Sequence, residues 1–227
     1  MSMALYAGSD RSSETAEGRL TRHSFSFGSH YDPANLGFGP LLCHNDDVLD
    51  AGAGYPDHPH TELEIVTWVL EGALVHTDSA RSRHTLEAGR AQVLSAGSGV
   101  RHSEVADPRS GRCRFVQAWL TPSEPGREPS YVLGEAPARG AGLAEVVGGD
   151  GLPLGTVGAR LLVARLAAGE SVALPHHPRQ HVFAASGAVE LDGLGLRGGD
   201  AVRLTDEPGR TVRASEESEL LVWSFRG

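Results

Sequence analysis

The sequence predicts an all-β protein whose second half repeats the strand rhythm of the first. Gly and Pro are abundant, with 29 and 13 of 227 residues, and the apolar residues form short runs, which is typical of strands joined by turns. Ile65 to Leu70 and Leu220 to Phe225 are two such runs, rich in β-branched and aromatic residues. The length suits two domains of about 100 residues or one larger β domain. Because the rhythm recurs, we expect two domains of the barrel or sandwich type.

Charge and composition exclude several kinds of partner. The net charge is -9 and no Lys/Arg cluster is present, so we expect no direct binding to nucleic acid. No apolar run approaches the roughly 20 residues that span a bilayer, and Met1 to Leu20 lacks the apolar core of a signal peptide. We therefore expect a cytoplasmic protein without a membrane segment. Cys43 and Cys113 are too few for a disulfide framework, and we expect both to be small buried residues.

A proline-rich stretch from Thr121 to Gly140 separates the two halves. We predict a metal-binding domain at residues 1–130 and a second domain at residues 131–227. The second half contains His176, His177 and His181, but it has no His-x-His pair and no later His that could complete a ligand set. We therefore expect the second domain to hold no metal.

Two short motifs carry the strongest chemical signal, His58-Pro59-His60 and His102-Ser103-Glu104. Each places two metal-binding side chains at positions i and i+2, which point to the same face of a strand. Between them, Ile65 to Val75 is apolar and broken by Glu71-Gly72, which predicts a hairpin that brings the motifs together. We expect one mononuclear metal site inside a small β-barrel. Pro59 cannot donate a ladder hydrogen bond, so its strand should lie at an edge or at the barrel rim.

The same stretch resembles a known family. Gly52, His58-x-His60, Glu64 and Gly72 resemble the first cupin motif, and Gly89 to His102 resembles the second, with Ser95 where that motif has Pro. The strings HPHTELEIVTWVLEGALVHTDS and SAGSGVRHSE, with HSFSFG, LGFGPL and NDD upstream, resemble the pirin family of bicupins. The likeness is dense over residues 22–120 and rests on layout beyond them. It implies two tandem cupin β-barrels.

The resemblance also implies a metal ion in the first barrel, held by three His and one Glu. Carried over by position, the ligands are His58, His60, His102 and Glu104. The general cupin pattern uses the position of Glu64 instead, so Glu64 is the alternative carboxylate ligand; otherwise we expect it to orient an imidazole. Three imidazoles and one carboxylate suit a divalent transition metal. Fe(II) is the metal that the family implies, and Ni, Cu, Mn or Zn would also fit.

For function, the resemblance implies a quercetin 2,3-dioxygenase. In that reaction the metal lowers the pKa of the flavonol 3-hydroxyl, dioxygen adds, and the heterocyclic ring opens with loss of carbon monoxide. Glu104 would accept the hydroxyl proton as general base. Phe25, Phe27 and Trp68 could line an apolar mouth that holds the flavonol, but for each of them taken singly we expect a place in the core.

Two other functions remain open at this point. The chain could be a metal-binding regulatory pirin that acts through a protein partner, or a zinc-dependent cupin isomerase. Thr61-Glu62 and Arg90 depart from the common pirin pattern, and they could alter the pocket rim and the substrate preference. Asp57 and Arg101 flank proposed ligands and could support them. His76 is expected to be a hydrogen-bonded core histidine.

Overall fold

The computed structural model describes residues 2–80, 82–136 and 142–226, and the all-β prediction is confirmed. These residues form strands, turns and one short 3-10 helix, Gly8–Asp10. None of their helical segments has the length and apolarity needed to cross a membrane. The strands are, in chain order, β1 (Ser2–Tyr6), β2 (Ser12–Ala16), β3 (Arg19–His23), β4 (Leu41–Leu49), β5 (Gly54–His60), β6 (Glu64–Glu71), β7 (Ala73–Asp78), β8 (Arg83–Glu87), β9 (Ala91–Ser95), β10 (Val100–Ala106), β11 (Cys113–Leu120), β12 (Ser130–Leu133), β13 (Ala144–Val147), β14 (Ala159–Leu166), β15 (Ser171–Ala173), β16 (Arg179–Ser186), β17 (Ala188–Leu191), β18 (Leu194–Arg197), β19 (Ala201–Thr205), β20 (Thr211–Ala214) and β21 (Ser218–Phe225).

The chain folds into two compact units. The N-terminal unit comprises Ser12–Ala136 and Leu152–Val157. Residues 2–11, 142–151 and 158–226 belong to the C-terminal unit. The two units do not divide at residue 130, where the division was predicted. β1 belongs to the C-terminal unit because it pairs with β19, and β12 belongs to the N-terminal unit because it pairs with β9. Part of the predicted linker, residues 137–140, lies outside the described residues.

The N-terminal unit contains two antiparallel sheets. One has seven strands in the order β12-β9-β6-β11-β4-β3-β2, and the other has four in the order β5-β10-β7-β8. Both sheets contribute to a buried apolar cluster that includes Leu49, Leu74, Leu86 and Phe115. Cys113 belongs to this cluster and, like Cys43, is a small buried residue outside any disulfide of the described chain, as predicted. Burial of such side chains stabilises the unit by about 1.5–3 kcal/mol for each large residue.

The predicted hairpin between the two motifs is wrong. β6 and β7 do flank Gly72, but β6 pairs with β9 and β11 whereas β7 pairs with β8 and β10. Gly72 is therefore the corner at which the chain passes from one sheet to the other. Its φ of 71° lies in the left-handed region, and an added Cβ would clash with the carbonyl oxygen of Arg112. Apolar alternation marks strands correctly but does not say which strands pair.

The C-terminal unit also contains two antiparallel sheets, in the orders β1-β19-β16-β21-β14-β13 and β15-β20-β17-β18. Its interior cluster consists of Ala, Val and Leu side chains, including Leu166, Val182, Leu191 and Leu220. The clustered interior positions thus carry aliphatic groups, which offer no metal ligands.

Candidate metal centre

The structure brings three predicted histidines together by direct pairing of β5 with β10. His58 and His102 are Cα partners in this pair, and His60 lies two residues along β5 on the same face. The ring centroids are 4.5 Å apart for His58 and His102, 4.8 Å for His58 and His60, and 5.1 Å for His60 and His102. One ring nitrogen from each His lies within 4.8 Å of the others, so the three could hold a metal ion.

The position of β5 explains how His58 is oriented. β5 is an edge strand, as Pro59 predicted, and its pairing with β10 shifts register between His102 and Glu104. Nδ1 of His58 lies 2.7 Å from the carbonyl oxygen of Pro56, within this irregularity. A carbonyl can only accept, so Nδ1 carries the proton and Nε2 keeps a lone pair. This neutral tautomer leaves Nε2 able to bind a metal ion.

His60 and His102 are electrostatically prepared to bind a cation as neutral imidazoles. Burial, reinforced by the neighbouring histidines, lowers the pKa of His60 to about 4 and that of His102 to about 3. Both rings are therefore neutral near pH 7. Nε2 of His60 and both ring nitrogens of His102 are buried without a hydrogen-bond partner among the described residues. Buried nitrogens of this kind fit a site that a metal ion completes.

Glu104 is fully buried between two side-chain amides. Gln92 Nε2 donates to Oε1 and Gln117 Nε2 donates to Oε2, each at 2.7 Å. Each amide is held in this orientation from behind: Tyr131 OH donates to Gln92 Oε1 and Trp119 Nε1 donates to Gln117 Oε1, each at 2.9 Å. Because the two amides present N–H groups, Glu104 is held as an acceptor on both oxygens.

His76 belongs to a second group that overlaps the first. Ligand atoms of His76, His102 and Glu104 lie within 4.8 Å of one another, so His102 is shared by the two groups. His76 is buried, as predicted, and its Nε2 lies 3.3 Å from Asp78 Oδ2. The prediction that His76 is hydrogen-bonded is confirmed only for Nε2, since Nδ1 has no partner in the described part of the chain. The ring stacks on Tyr131 with centroids 4.4 Å apart.

Glu64, the alternative carboxylate, belongs to neither group. It is buried on β6, where its Oε2 accepts hydrogen bonds from Ser95 Oγ at 2.7 Å and from the Gly155 amide at 2.9 Å. Its side chain lines a separate cavity of about 430 Å³. Glu64 therefore ties the segment Leu152–Val157 to the sheet, and its hydrogen bonds go to these groups rather than to an imidazole.

A cavity of about 240 Å³ opens beside the histidine cluster and includes His58 and Glu104 in its wall. Phe27 and Trp119 form an aromatic side, with ring centroids 5.3 Å apart in an edge-to-face arrangement. Phe27 is thus the one of the three suggested aromatic residues that lines the cavity. The others belong to the core, since Phe25 and Trp68 are each only 1% exposed. The remaining wall residues are Glu14, Ala16, Arg19, Thr21, His23, Asn45, Asp47, Tyr55 and Gln117.

Several supporting residues were not predicted from the sequence. Gln92 and Gln117 each stand between two apolar residues of a strand, and a polar residue in such a position is the signal that could have identified them. Asp57 and Arg101, which were predicted as candidates, form an ion pair on the exposed side of β5 and β10, with Arg101 Nε donating to Asp57 Oδ2 at 2.7 Å. They brace the strand pair rather than contact the imidazoles.

Comparison with known proteins identifies the family. The family model described as Pirin matches residues 8–120, and the model described as Quercetinase C-terminal cupin domain matches residues 157–223. The "Putative quercetin 2,3-dioxygenase" of Mycobacterium tuberculosis is 44% identical over 224 residues, which cover 95% of this chain and 92% of that protein. The Quercetin 2,3-dioxygenase of Escherichia coli is 45% identical over 109 residues, 48% of this chain and 47% of its own length.

Among solved structures, the bacterial pirin YhhW of Escherichia coli in complex with nickel(II) matches with a TM-score of 0.91. It is 29% identical and the match covers 99% of both chains. The prediction of two tandem cupin domains is therefore confirmed. On its sequence relatives and its fold alike, the chain belongs to the pirin family, with a quercetinase-type cupin as its second domain.

Proposed function

We propose that this protein is a metal-dependent dioxygenase that opens the heterocyclic ring of a flavonol. The observation that carries the proposal is the cluster of His58, His60 and His102, which lies with Glu104 beside a cavity that has an aromatic side. The names of the relatives support the same reaction class, since the Mycobacterium tuberculosis protein is called "Putative quercetin 2,3-dioxygenase" and the Escherichia coli protein is called Quercetin 2,3-dioxygenase.

The proposed metal ligands are His58, His60, His102 and Glu104. Their unpartnered nitrogens and the carboxylate suit a divalent transition metal, for which we propose Fe(II) first, with Ni, Cu, Mn or Zn as alternatives. The nickel(II) bound by the Escherichia coli pirin supports this class of ion. Such a metal would lower the pKa of the flavonol 3-hydroxyl and activate the substrate toward dioxygen. We propose one metal per chain, because both groups of potential ligand side chains found among the described residues lie in the N-terminal unit.

Glu104 is the proposed general base. It would accept the proton of the flavonol 3-hydroxyl on Oε2, which accepts one amide N–H and keeps a further lone pair, whereas Oε1 accepts from both Gln92 Nε2 and Thr67 Oγ1. Gln92 and Gln117 keep the carboxyl plane in place while its charge changes. The donors behind them, Tyr131 and Trp119, prevent either amide from turning its oxygen toward Glu104. This preorganisation means that little rearrangement accompanies the proton transfer.

The cavity supports a flat, polyhydroxylated aromatic substrate. Phe27 and Trp119 offer ring contacts, whereas the polar wall residues Asp47, Asn45 and Thr21 offer hydrogen-bonding groups. Dioxygen would contribute both of its atoms to the ring-opened ester, and one substrate carbon would leave as carbon monoxide. The buried position of Glu104 also limits access of bulk water to the reacting oxygen.

Aerobic loss of quercetin absorbance by metal-loaded protein tests the proposal. We expect turnover with at least one first-row metal and a loss of at least about 100-fold in the His102→Ala and Glu104→Ala variants. His176→Ala, which removes an exposed histidine of the C-terminal unit, is the matched control and should retain full activity. No turnover with any first-row metal would refute the enzyme and favour a regulatory pirin that acts through a protein partner. Turnover that survives both site substitutions would refute the site assignment.

A further inference from the structure

Asp47 is a buried carboxyl group in the wall of the cavity and has no role in the proposed metal chemistry. It lies on β4, is only 2% exposed, and shares the cavity wall with His58 and Glu104. No ion pair involves it among the described residues, although buried carboxylates are rarely left without a cation. A ligand bound in the cavity can supply the hydrogen-bond partner that this carboxyl group lacks.

One oxygen of Asp47 is fully engaged by the protein. Thr21 Oγ1 and Tyr55 OH both lie 2.6 Å from Oδ1 and donate to it. Thr21 is the cross-strand partner of Asp47, and the Tyr55 ring is covered by the guanidinium of Arg19 at 4.8 Å. These contacts fix the rotation of the carboxyl group. Its orientation is therefore set before any ligand arrives.

The other oxygen, Oδ2, accepts no hydrogen bond from the described residues. It is not completely enclosed by protein either, since it is absent from the set of enclosed polar atoms without a partner. Since Asp47 lines the cavity, Oδ2 is the atom that a cavity ligand can reach. Both acceptor positions of Oδ1 are used, so a proton on this carboxyl would sit on Oδ2. Burial raises the pKa of Asp47 to about 7 despite the hydrogen bonds from Thr21 and Tyr55. In its ionised form Oδ2 can accept a hydrogen bond from a hydroxyl group of a ligand.

The surroundings favour a hydroxyl on an aromatic ring over other ligands. A cationic ligand would be repelled by the divalent metal proposed at His58, and an anionic group beside Oδ2 would be repelled by the ionised form of Asp47 itself. Phe27 and Trp119 present rings to the same cavity, and His23 stacks on Phe27 with centroids 4.9 Å apart. A neutral, flat molecule that carries a hydroxyl donor away from the metal satisfies all of these conditions.

We propose that Asp47 Oδ2 is a hydroxyl-binding subsite that selects substrates with a phenolic hydroxyl on a part of the molecule remote from the metal. This inference rests on the proposed function, because it concerns the substrate of the same cavity. It makes Asp47 a specificity-determining residue, since a site built to pair with a hydroxyl discriminates against an analogue that lacks it.

The test compares the binding of two flavonols to Zn(II)-loaded protein under nitrogen, where no turnover occurs. Quercetin carries hydroxyls remote from the 3-position, whereas 3-hydroxyflavone retains only the 3-hydroxyl. We expect the wild-type protein to bind quercetin at least about tenfold more tightly. In Asp47→Asn the preference should fall to within about twofold while the Kd of 3-hydroxyflavone is unchanged. Asp50→Asn, an exposed substitution of equal charge change at the end of the same strand, should keep the wild-type preference.

A wild-type preference below twofold, a preference that persists in Asp47→Asn, or an equal loss of affinity for both ligands would overturn the subsite. Circular dichroism checks that the variant folds, and Asp47→Ala replaces it if it does not. The proposed function is judged separately by aerobic turnover. A quercetin preference that depends on Asp47, without aerobic turnover, would support the subsite and refute the dioxygenase. Aerobic turnover with an unchanged quercetin preference in Asp47→Asn would support the dioxygenase and refute the subsite.

Discussion

The identity of the carboxylate ligand can be decided by two matched substitutions, Glu104→Gln and Glu64→Gln. Each replaces a buried carboxylate of the N-terminal unit with an amide of the same shape, so the change of charge and volume is equal. The structure predicts opposite consequences. Glu104 lies within 4.8 Å of the ligand atoms of His76 and His102, whereas Glu64 is bonded to Ser95 and Gly155.

Glu104→Gln should weaken metal binding by at least about 100-fold, or about 2.7 kcal/mol. Changes to groups that only support a ligand cost about 10–100-fold, and removal of an anionic ligand should cost more. The substitution also places an amide N–H₂ against the N–H₂ of Gln92 or Gln117, since both of these groups are donors. Glu64→Gln should change metal affinity by no more than about twofold. It should instead lower the free energy of unfolding by about 2 kcal/mol, because two charge-assisted hydrogen bonds become neutral ones.

Both quantities are measurable on purified protein. Competition of each variant with a chromophoric chelator for Ni(II) gives the metal affinity, and urea unfolding of the metal-free proteins gives the stability. The reasoning would be refuted if Glu64→Gln lost the metal while Glu104→Gln retained it. Equal metal loss in both variants, with stability unchanged, would also contradict the assignment of separate roles.

Three further predictions follow from single contacts. His76→Ala should weaken Ni(II) binding by about 10–100-fold. His84→Ala, which removes the exposed histidine stacked on the same Tyr131, should leave Ni(II) affinity unchanged in the same titration. Equal effects of the two substitutions would contradict a role for His76 at the metal. Gly72→Ala should lower the free energy of unfolding by at least about 3 kcal/mol, measured by urea unfolding. Gly52→Ala, also at positive φ but with open space around it, should lower it by only about 1 kcal/mol. Similar losses in the two variants would refute the clash at the sheet corner. Asp47→Asn should gain stability relative to the wild type as pH rises from about 4 to about 7. Over this range the unfolded Asp47 is ionised whereas the folded carboxyl, with its pKa raised to about 7, keeps its proton, so only the wild type loses stability as pH rises. A stability difference that stays constant over this range would contradict the prediction.

The strands and the histidine motifs could be predicted from the sequence because they depend on local periodicity. Alternation places His58 with His60 on one face of β5, and Pro59 correctly predicts that this strand lies at an edge. Strand pairing could not be predicted in the same way. The segment around Gly72 has the composition of a hairpin turn, but the strands on either side join different sheets.

The sequence by itself determined the fold class and the three clustered histidines, because apolar periodicity and i, i+2 spacing are properties of neighbouring residues. Only the tertiary structure decided what surrounds them. It placed Glu104 between Gln92 and Gln117 and directed Glu64 to Ser95 and Gly155. It also left one oxygen of Asp47 facing the cavity. These contacts join residues up to about 90 positions apart, and their formation depends on which strands pair and in which register, which no local pattern specifies.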